Sequence, residues 1–198
     1  MNKKYQVNKK NIVNPFHFST SLLGLFFLLV ACAIVLNTAP SMATAEDVKT
    51  DIINFSLTQM GSDAQGKIVE LNSFKDNNMV MTFWSPGCPH CLHELEMLDQ
   101  LSSLMPPMLN IKFVLITYDY SAQKESMPEE VRNVITSMEK KYHVLGATDD
   151  AVFSAYHISG VPHNFFFNNG KLVGEVSGAM EMESLRDKAL EYFGINLY

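Results

Sequence analysis

Cys88 and Cys91 stand three positions apart in Phe83-Trp84-Ser85-Pro86-Gly87-Cys88-Pro89-His90-Cys91, directly after an apolar run and directly before a helix-patterned one. Residues i and i+3 of a helix lie about one turn apart, so both sulfurs share a face and reach disulfide geometry with little backbone distortion. Such a pair at a strand-to-helix junction reads as a thiol–disulfide redox centre. At a helix start, free backbone N–H groups and the positive end of the macrodipole favour an anion, here the Cys88 thiolate. Pro89 suits the first helical position, where no N–H is needed from it. His90 can donate a hydrogen bond or carry positive charge, which favours the thiolate further. Cys88 is therefore expected to be the exposed attacking sulfur. Cys91, one turn deeper, is expected to resolve the mixed disulfide. A stabilised thiolate also makes the disulfide more oxidising.

The elements that must hold this pair follow from hydrophobic patterning. Met79 to Trp84 is a nearly continuous apolar run, as a central parallel strand requires. His90 to Met105 carries apolar residues at Leu92, Leu95, Leu98, Leu101 and Met105, close to helical spacing, and Pro106-Pro107 ends it. On this reading Glu94 and Glu96 form a solvated helix face, with Glu94 near enough to the first turn to adjust the cysteines. Ile111 to Thr117 reads as a second buried strand. Pro128 opens a helix with an apolar stripe at Val131, Val134, Ile135 and Met138. Asp150 to Tyr156 suggests a short helix. Asn164 to Phe167 and Leu172 to Val176 flank Asn168-Asn169-Gly170-Lys171, a hairpin signal, and Met180 to Phe193 closes the chain as an amphipathic helix. Upstream, Asn54 to Leu57 and Lys67 to Leu71 read as short strands around a turn. The order is β-α-β-α, then a β-hairpin and a last helix. Right-handed parallel crossovers plus an antiparallel hairpin give an α/β fold, a mixed sheet with helices on both faces.

The chain has 198 residues, 47% of them hydrophobic and 18% charged, which suits one folded core plus an appendage. Of its 3 cysteines only Cys88 and Cys91 lie outside the N-terminal apolar stretch, so no structural disulfide framework is available. Residues 1–45 carry four lysines and no acid; the remaining 11 basic and 21 acidic residues leave a net charge of −10, unsuited to nucleic acid. Lys3, Lys4, Lys9 and Lys10 precede an apolar run from Leu22 to Leu36 and a small-residue segment with Ala43 and Ala45 in an Ala-x-Ala pattern, as in a secretory signal. The expected organisation is a positively charged cytoplasmic segment at 1–18, a signal peptide or membrane anchor at 19–36, a linker at 37–50 and one domain at 51–198. Cys32 reads as a small apolar residue of that segment, with lipidation in a Leu-Val-Ala-Cys context the alternative. Every version places the folded part outside the cytoplasmic membrane.

With these marks in place, the chain resembles the thioredoxin-like fold, and within it the extracytoplasmic TlpA/ResA-type thiol–disulfide oxidoreductases. The resemblance spans roughly residues 50 to 195. It rests on Phe83-Trp84, the cysteine pair, Tyr156-His157-Ile158-Ser159-Gly160-Val161-Pro162, Phe165-Phe166 and Asn169-Gly170-Lys171. It implies an added N-terminal hairpin over Phe55 to Leu71 and a cis proline at Pro162 facing the disulfide. It also implies a substrate chain aligned in extended form by Val161 and Pro162, with Trp84 beside them. Three positions depart from the pattern. Gly87 stands where the family often has tryptophan. Thr82 stands where cytoplasmic thioredoxins carry a buried aspartate that helps proton transfer, so no carboxylate base is expected at that spot. Pro89-His90 is similar to the dipeptide of DsbA-type oxidases.

The resemblance implies exchange with the thiols or disulfides of substrate proteins and a membrane redox partner, without a cofactor. It covers reduction as in cytochrome c maturation as well as disulfide formation or isomerisation. The alternative from another class is a metallochaperone that holds copper or zinc through Cys88, Cys91 and a histidine. Paired cysteines of this spacing bind zinc where a second pair exists, and there is none. His93, His143, His157 and His163 are expected to be exposed or satisfied in place. A peroxiredoxin-type peroxidase would need a Pro-x-x-x-Thr-x-x-Cys arrangement, which the chain lacks.

Overall fold

The structure is a computed structural model that describes residues 51–61 and 66–194. The expected segments at 1–18, 19–36 and 37–50, with Cys32, lie outside the described residues. Among the described residues no helix is long and apolar enough to cross a membrane.

Among the described residues seven strands form one sheet. They are β1 (Ser56–Gln59), β2 (Ile68–Glu70), β3 (Asn78–Phe83), β4 (Ile111–Tyr118), β5 (His143–Ala147), β6 (His163–Asn168) and β7 (Lys171–Ser177), in the spatial order β2-β1-β5-β4-β3-β6-β7. The helices are α1 (Pro89–Leu104), α2 (Glu129–Lys141), α3 (Ala151–Ala155) and α4 (Met182–Phe193). β3, β4 and β5 run parallel, and β6 pairs antiparallel with both β3 and β7. β1 pairs antiparallel with β2 through Ser56↔Glu70 and Leu57↔Val69.

The crossovers β3–α1–β4 and β4–α2–β5 step in the same direction along the sheet, so right-handedness puts both helices on one face. That face buries Leu95, Leu98 and Leu101 of α1, Ile135 and Met138 of α2, and Leu185 and Ala189 of α4, against Val80, Leu115, Val144 and Phe166 of the sheet. The opposite face buries Met79, Met81, Phe83, Val114, Ile116 and Phe165 under Val152 and Phe153 of α3 and the 3-10 turn Leu71–Phe74. Successive residues of β3 alternate between these two clusters, as a strand buried on both sides must. The expected α/β layering is what the chain forms.

Two differences from the sequence reading matter. β5 was not among the expected strands. Its five residues include Gly146, which suggests loop, yet the sheet needs a glycine there: a Cβ would come within 2.6 Å of the Met60 sulfur and 3.2 Å of Asp119 Cα. The helix expected from Met180 starts at Met182, because Met180 is tied by its backbone N–H into the site described next. The β6–β7 turn does follow from its sequence. Asn169 (φ 47°) and Gly170 (φ 77°) occupy the two left-handed positions of a two-residue hairpin.

Candidate active site

β3 ends at Phe83 at the centre of the sheet, and the chain must turn there to enter α1. The Trp84 backbone N–H donates to the Ile116 carbonyl at 2.9 Å, prolonging the β3–β4 ladder by one bond. Cys88 N–H then donates to the Ser85 carbonyl at 3.1 Å, closing a tight turn over Pro86 and Gly87. Cys88 is the N-cap of α1, with extended backbone (φ −107°, ψ 105°), and Pro89 takes the first helical position.

Cys88 and Cys91 form a disulfide with their Cα atoms 5.2 Å apart. The Cys91 backbone N–H points at Cys88 Sγ at 3.1 Å, so the sulfur takes the place of the oxygen of an ordinary capping side chain. A thiolate at this atom would accept the same N–H with a full charge at the helix's positive end. Cys88 is partly exposed, whereas Cys91 is 1% exposed among Leu95, Trp84 and their neighbours. His90 is exposed on the outer side of the first turn.

The Val161–Pro162 peptide bond is cis, and the Val161 carbonyl oxygen lies 3.8 Å from Cys88 Sγ. Val161 is half-buried and Pro162 buried, so the part of this segment a docked chain can reach is the Val161 backbone and side chain. Trp84, expected among the substrate-contacting residues, is 1% exposed. It packs beneath the loop with its ring edge-on to Tyr120 at 6.0 Å, and belongs to the floor of the site.

Glu94 corrects the sequence reading. It is 0% exposed, one turn beyond Cys91 on the buried side of α1. Its carboxylate accepts the Asn164 side-chain amide at 2.5 Å and the Met180 backbone N–H at 3.1 Å. Asn164 in turn accepts the Thr82 hydroxyl at 2.7 Å. Burial raises the Glu94 carboxyl above its ordinary value, against the lowering effect of these two hydrogen bonds and of nearby His93. A buried carboxylate therefore lies one turn beyond Cys91. It comes from the helix, and Thr82 in β3 reaches it through Asn164 in β6. The stripe Cys91, Glu94, Leu95, Leu98, Leu101 carries the signal, since Glu94 falls on it at helical spacing. Glu96 is exposed, as expected.

Among the described residues, the remaining histidines have other neighbours. His93 is exposed, with Nε2 3.6 Å from the Glu181 carboxylate. His163, next after Pro162, is buried; its Nε2 meets the Glu175 carboxylate at 2.7 Å and its ring stacks on Phe165 at 4.8 Å. His143 is half-buried against the edge of Phe74, and His157 is exposed. Among the described residues no cluster of three or more His, Cys, Asp or Glu has metal-holding geometry.

Residues 48–175 match the model of the AhpC/TSA family. The chain is 29% identical over 140 residues to the thiol-disulfide oxidoreductase ResA of Bacillus subtilis, covering 70% of this chain and 72% of that one. It is 23% identical over 167 residues to ResA of Bacillus thuringiensis, covering 84% of this chain and 92% of that one. Among solved structures it superposes on a putative thiol:disulfide interchange protein DsbE from Chlorobium tepidum with a TM-score of 0.60 at 16% identity, over 75% of this chain and 99% of the other. It also superposes on the exposed lipoprotein thioredoxin of Streptococcus pneumoniae with a TM-score of 0.52 at 23% identity, over 70% and 99%. With a disulfide capping the helix after the central strand, a thioredoxin-like sheet behind it and a family match over most of its length, this chain belongs to the AhpC/TSA family and is a thiol–disulfide oxidoreductase.

Proposed function

We propose that the chain exchanges its Cys88–Cys91 disulfide with substrate proteins outside the cytoplasmic membrane. Cys88 is the nucleophile, Cys91 the resolving sulfur and Glu94 the proton acceptor for Cys91. The observation that carries this reading is the asymmetry of the pair. Cys88 Sγ is partly exposed and receives the Cys91 N–H at 3.1 Å, while Cys91 is 1% exposed.

With the pair reduced, the Cys88 thiolate attacks one sulfur of a substrate disulfide. The substrate S–S bond breaks, and its other sulfur leaves as thiolate with the bonding electrons. An extended substrate segment lies beside the Val161 backbone, which borders Cys88 Sγ. Cys91 then gives its proton to the Glu94 carboxylate, whose raised affinity for protons suits the task. The Cys91 thiolate attacks Cys88 Sγ, the mixed disulfide breaks, and the second substrate thiolate departs. Two electrons have passed to the substrate, and the chain is left in the bonded form seen here. Run in reverse, the same steps oxidise a substrate dithiol, so the partner's potential sets the direction. Reduction as in cytochrome c maturation fits a membrane redox partner that returns the pair to dithiol. Pro89-His90 favours disulfide formation instead.

The location rests on the N-terminal lysines, apolar run and Ala-x-Ala segment, and on similarity to a protein described as an exposed lipoprotein. We divide the chain accordingly into a cytoplasmic segment (1–18), a signal or anchor (19–36), a linker (37–50) and the redox domain (51–198).

The test is insulin-disulfide exchange with Cys88→Ser, which should lose turnover; retained turnover would remove Cys88 as nucleophile. Titration of the pair against glutathione decides direction. A potential near ~−270 mV marks a reductant and one near ~−120 mV an oxidant.

A further inference from the structure

His163 is the first residue of β6, two positions after Val161, whose carbonyl oxygen borders Cys88 Sγ at 3.8 Å. It pairs on one side with Phe83, the last residue of β3 before the cysteine loop, and on the other with Ser177 of β7. The strand that leads into the loop and the strand that follows Val161 therefore meet at this residue. β7 is the edge of the sheet, and the contact of His163 Nε2 with the Glu175 carboxylate at 2.7 Å is the one side-chain hydrogen bond that ties it to β6 among the described residues. Glu175 stands opposite Phe165, so the bond runs diagonally across the two strands. Stacking on Phe165, with 16° between the planes, fixes the ring.

The His163 side chain is buried, and its Nδ1 has no hydrogen-bond partner. Nε2 faces a carboxylate and so carries a proton. An apolar residue in the same slot would leave no buried nitrogen orphaned, so the imidazole costs stability there. What it adds is a rigid donor that reaches a half-exposed carboxylate on the edge strand.

We infer that His163 is a positioning residue for exchange: through Glu175 it fixes the start of β6 against β7, and so holds the Val161 carbonyl where an extended substrate segment is aligned with Cys88. The inference rests on the thiol–disulfide exchange reading and adds to it a residue that touches neither sulfur nor substrate. The pair matters for polypeptide substrates, which must lie along Val161. A small disulfide needs only to reach Cys88.

The experiment follows oxidation of the reduced full chain by insulin and by bis(2-hydroxyethyl) disulfide, through the fluorescence of Trp84, the chain's single tryptophan. The readout is the ratio of the two second-order rate constants, insulin over small disulfide. In His163→Leu, which keeps the bulk and loses the donor, that ratio falls about tenfold, within the roughly 10²-fold that a misplacement of about 1 Å can cost. Glu175→Ala, a change at a half-exposed side chain, lowers it as far, and the double variant lowers it no further than either single. His163→Gln, which keeps a side-chain N–H for the carboxylate, recovers part of the ratio. A ratio that neither single variant moves would overturn the inference. So would a parallel fall of both rate constants, the mark of a purely structural role, or a shifted equilibrium with glutathione, which would place the effect on the sulfurs themselves. Reaction of the unaltered protein with the small disulfide alone would remove alignment at Val161 and the role of His163 with it. Reaction with neither disulfide would remove the exchange reading itself.

Discussion

Asn164 of β6 holds Glu94 of α1 at 2.5 Å, and the two residues are 70 positions apart in sequence. That contact joins the strand that follows Pro162 to the helix that carries both cysteines. Because Asn164 also accepts the Thr82 hydroxyl at 2.7 Å, three elements, β3, β6 and α1, meet at one buried carboxylate. The amide orients the carboxylate, and burial keeps its affinity for protons high.

Glu94→Gln should slow exchange by about 10²-fold, the low end of what a positioned proton acceptor supplies. Its pH–rate profile should lose the limb belonging to the carboxylate. The stability consequence has a definite sign. A carboxyl whose folded pKa is raised contributes stability that is complete below its ordinary value and is lost as pH rises through the folded pKa. Urea titrations from pH 4.5 upward, near the ordinary value, should therefore show the unaltered protein losing stability relative to Glu94→Gln. A constant difference across that range would argue that Glu94 stays ionised.

Cys91→Ser should accumulate a mixed disulfide between Cys88 and the substrate, because the buried sulfur that completes the exchange is gone. Non-reducing electrophoresis with mass analysis reads the adduct. A Cys88→Ser protein that forms adducts through Cys91 would reverse the assignment.

Asn164→Leu should destabilise the domain by about 2–4 kcal/mol, since it leaves a buried hydroxyl and a buried carboxylate each short of a partner. Thr82→Val, which removes only the hydroxyl, should cost about 1 kcal/mol. Chemical denaturation of both singles and the double variant should show coupling between them.

Gly170→Ala should cost at least ~2 kcal/mol. Its φ is +77°, and a Cβ would come within 2.6 Å of the Lys75 carbonyl oxygen, which is backbone and cannot swing aside. Gly178 has φ +92° with nothing within 4 Å, so Gly178→Ala should lose only the conformational part, about 1 kcal/mol. Thermal melts of the two variants separate strain from collision.

His143 makes a prediction of opposite sign to Glu94. Burial, and then the charges of Lys112 and Lys67, hold its pKa below the usual imidazole value. The unfolded chain therefore takes up the proton first, and stability falls as pH drops below about 6.5 toward the lowered folded pKa. His143→Leu should flatten that slope in acid denaturation between pH 7 and 5. An unchanged slope would place the acid sensitivity elsewhere.

The sequence made some of this legible and hid the rest for physical reasons. The cysteine pair, the β3 run and the Asn-Gly turn are local devices: spacing, apolarity and left-handed backbone all act within a few residues. β5 escaped because five residues that include a glycine carry little pattern, and its need for Gly146 comes from Met60 and Asp119, far away in the chain. Glu94 sits on the buried stripe with Cys91, Leu95 and Leu98. A glutamate there reads as surface until its partners are known, and Asn164 and Met180 lie 70 and 86 residues downstream. Trp84, expected beside the substrate chain, is buried in the core cluster on the helical face of the sheet, and its neighbours there, Tyr120 among them, come from distant parts of the chain.

Because one atom, Cys88 Sγ, both caps α1 and changes oxidation state, the helix end keeps its hydrogen-bond acceptor whether that sulfur is bonded to Cys91 or bears a negative charge. The dipoles around the pair thus already point where charge appears when the bond opens. Electron transfer through this site therefore demands little reorganisation of the surrounding polypeptide, and bonded and open forms should be nearly superimposable beyond the first turn.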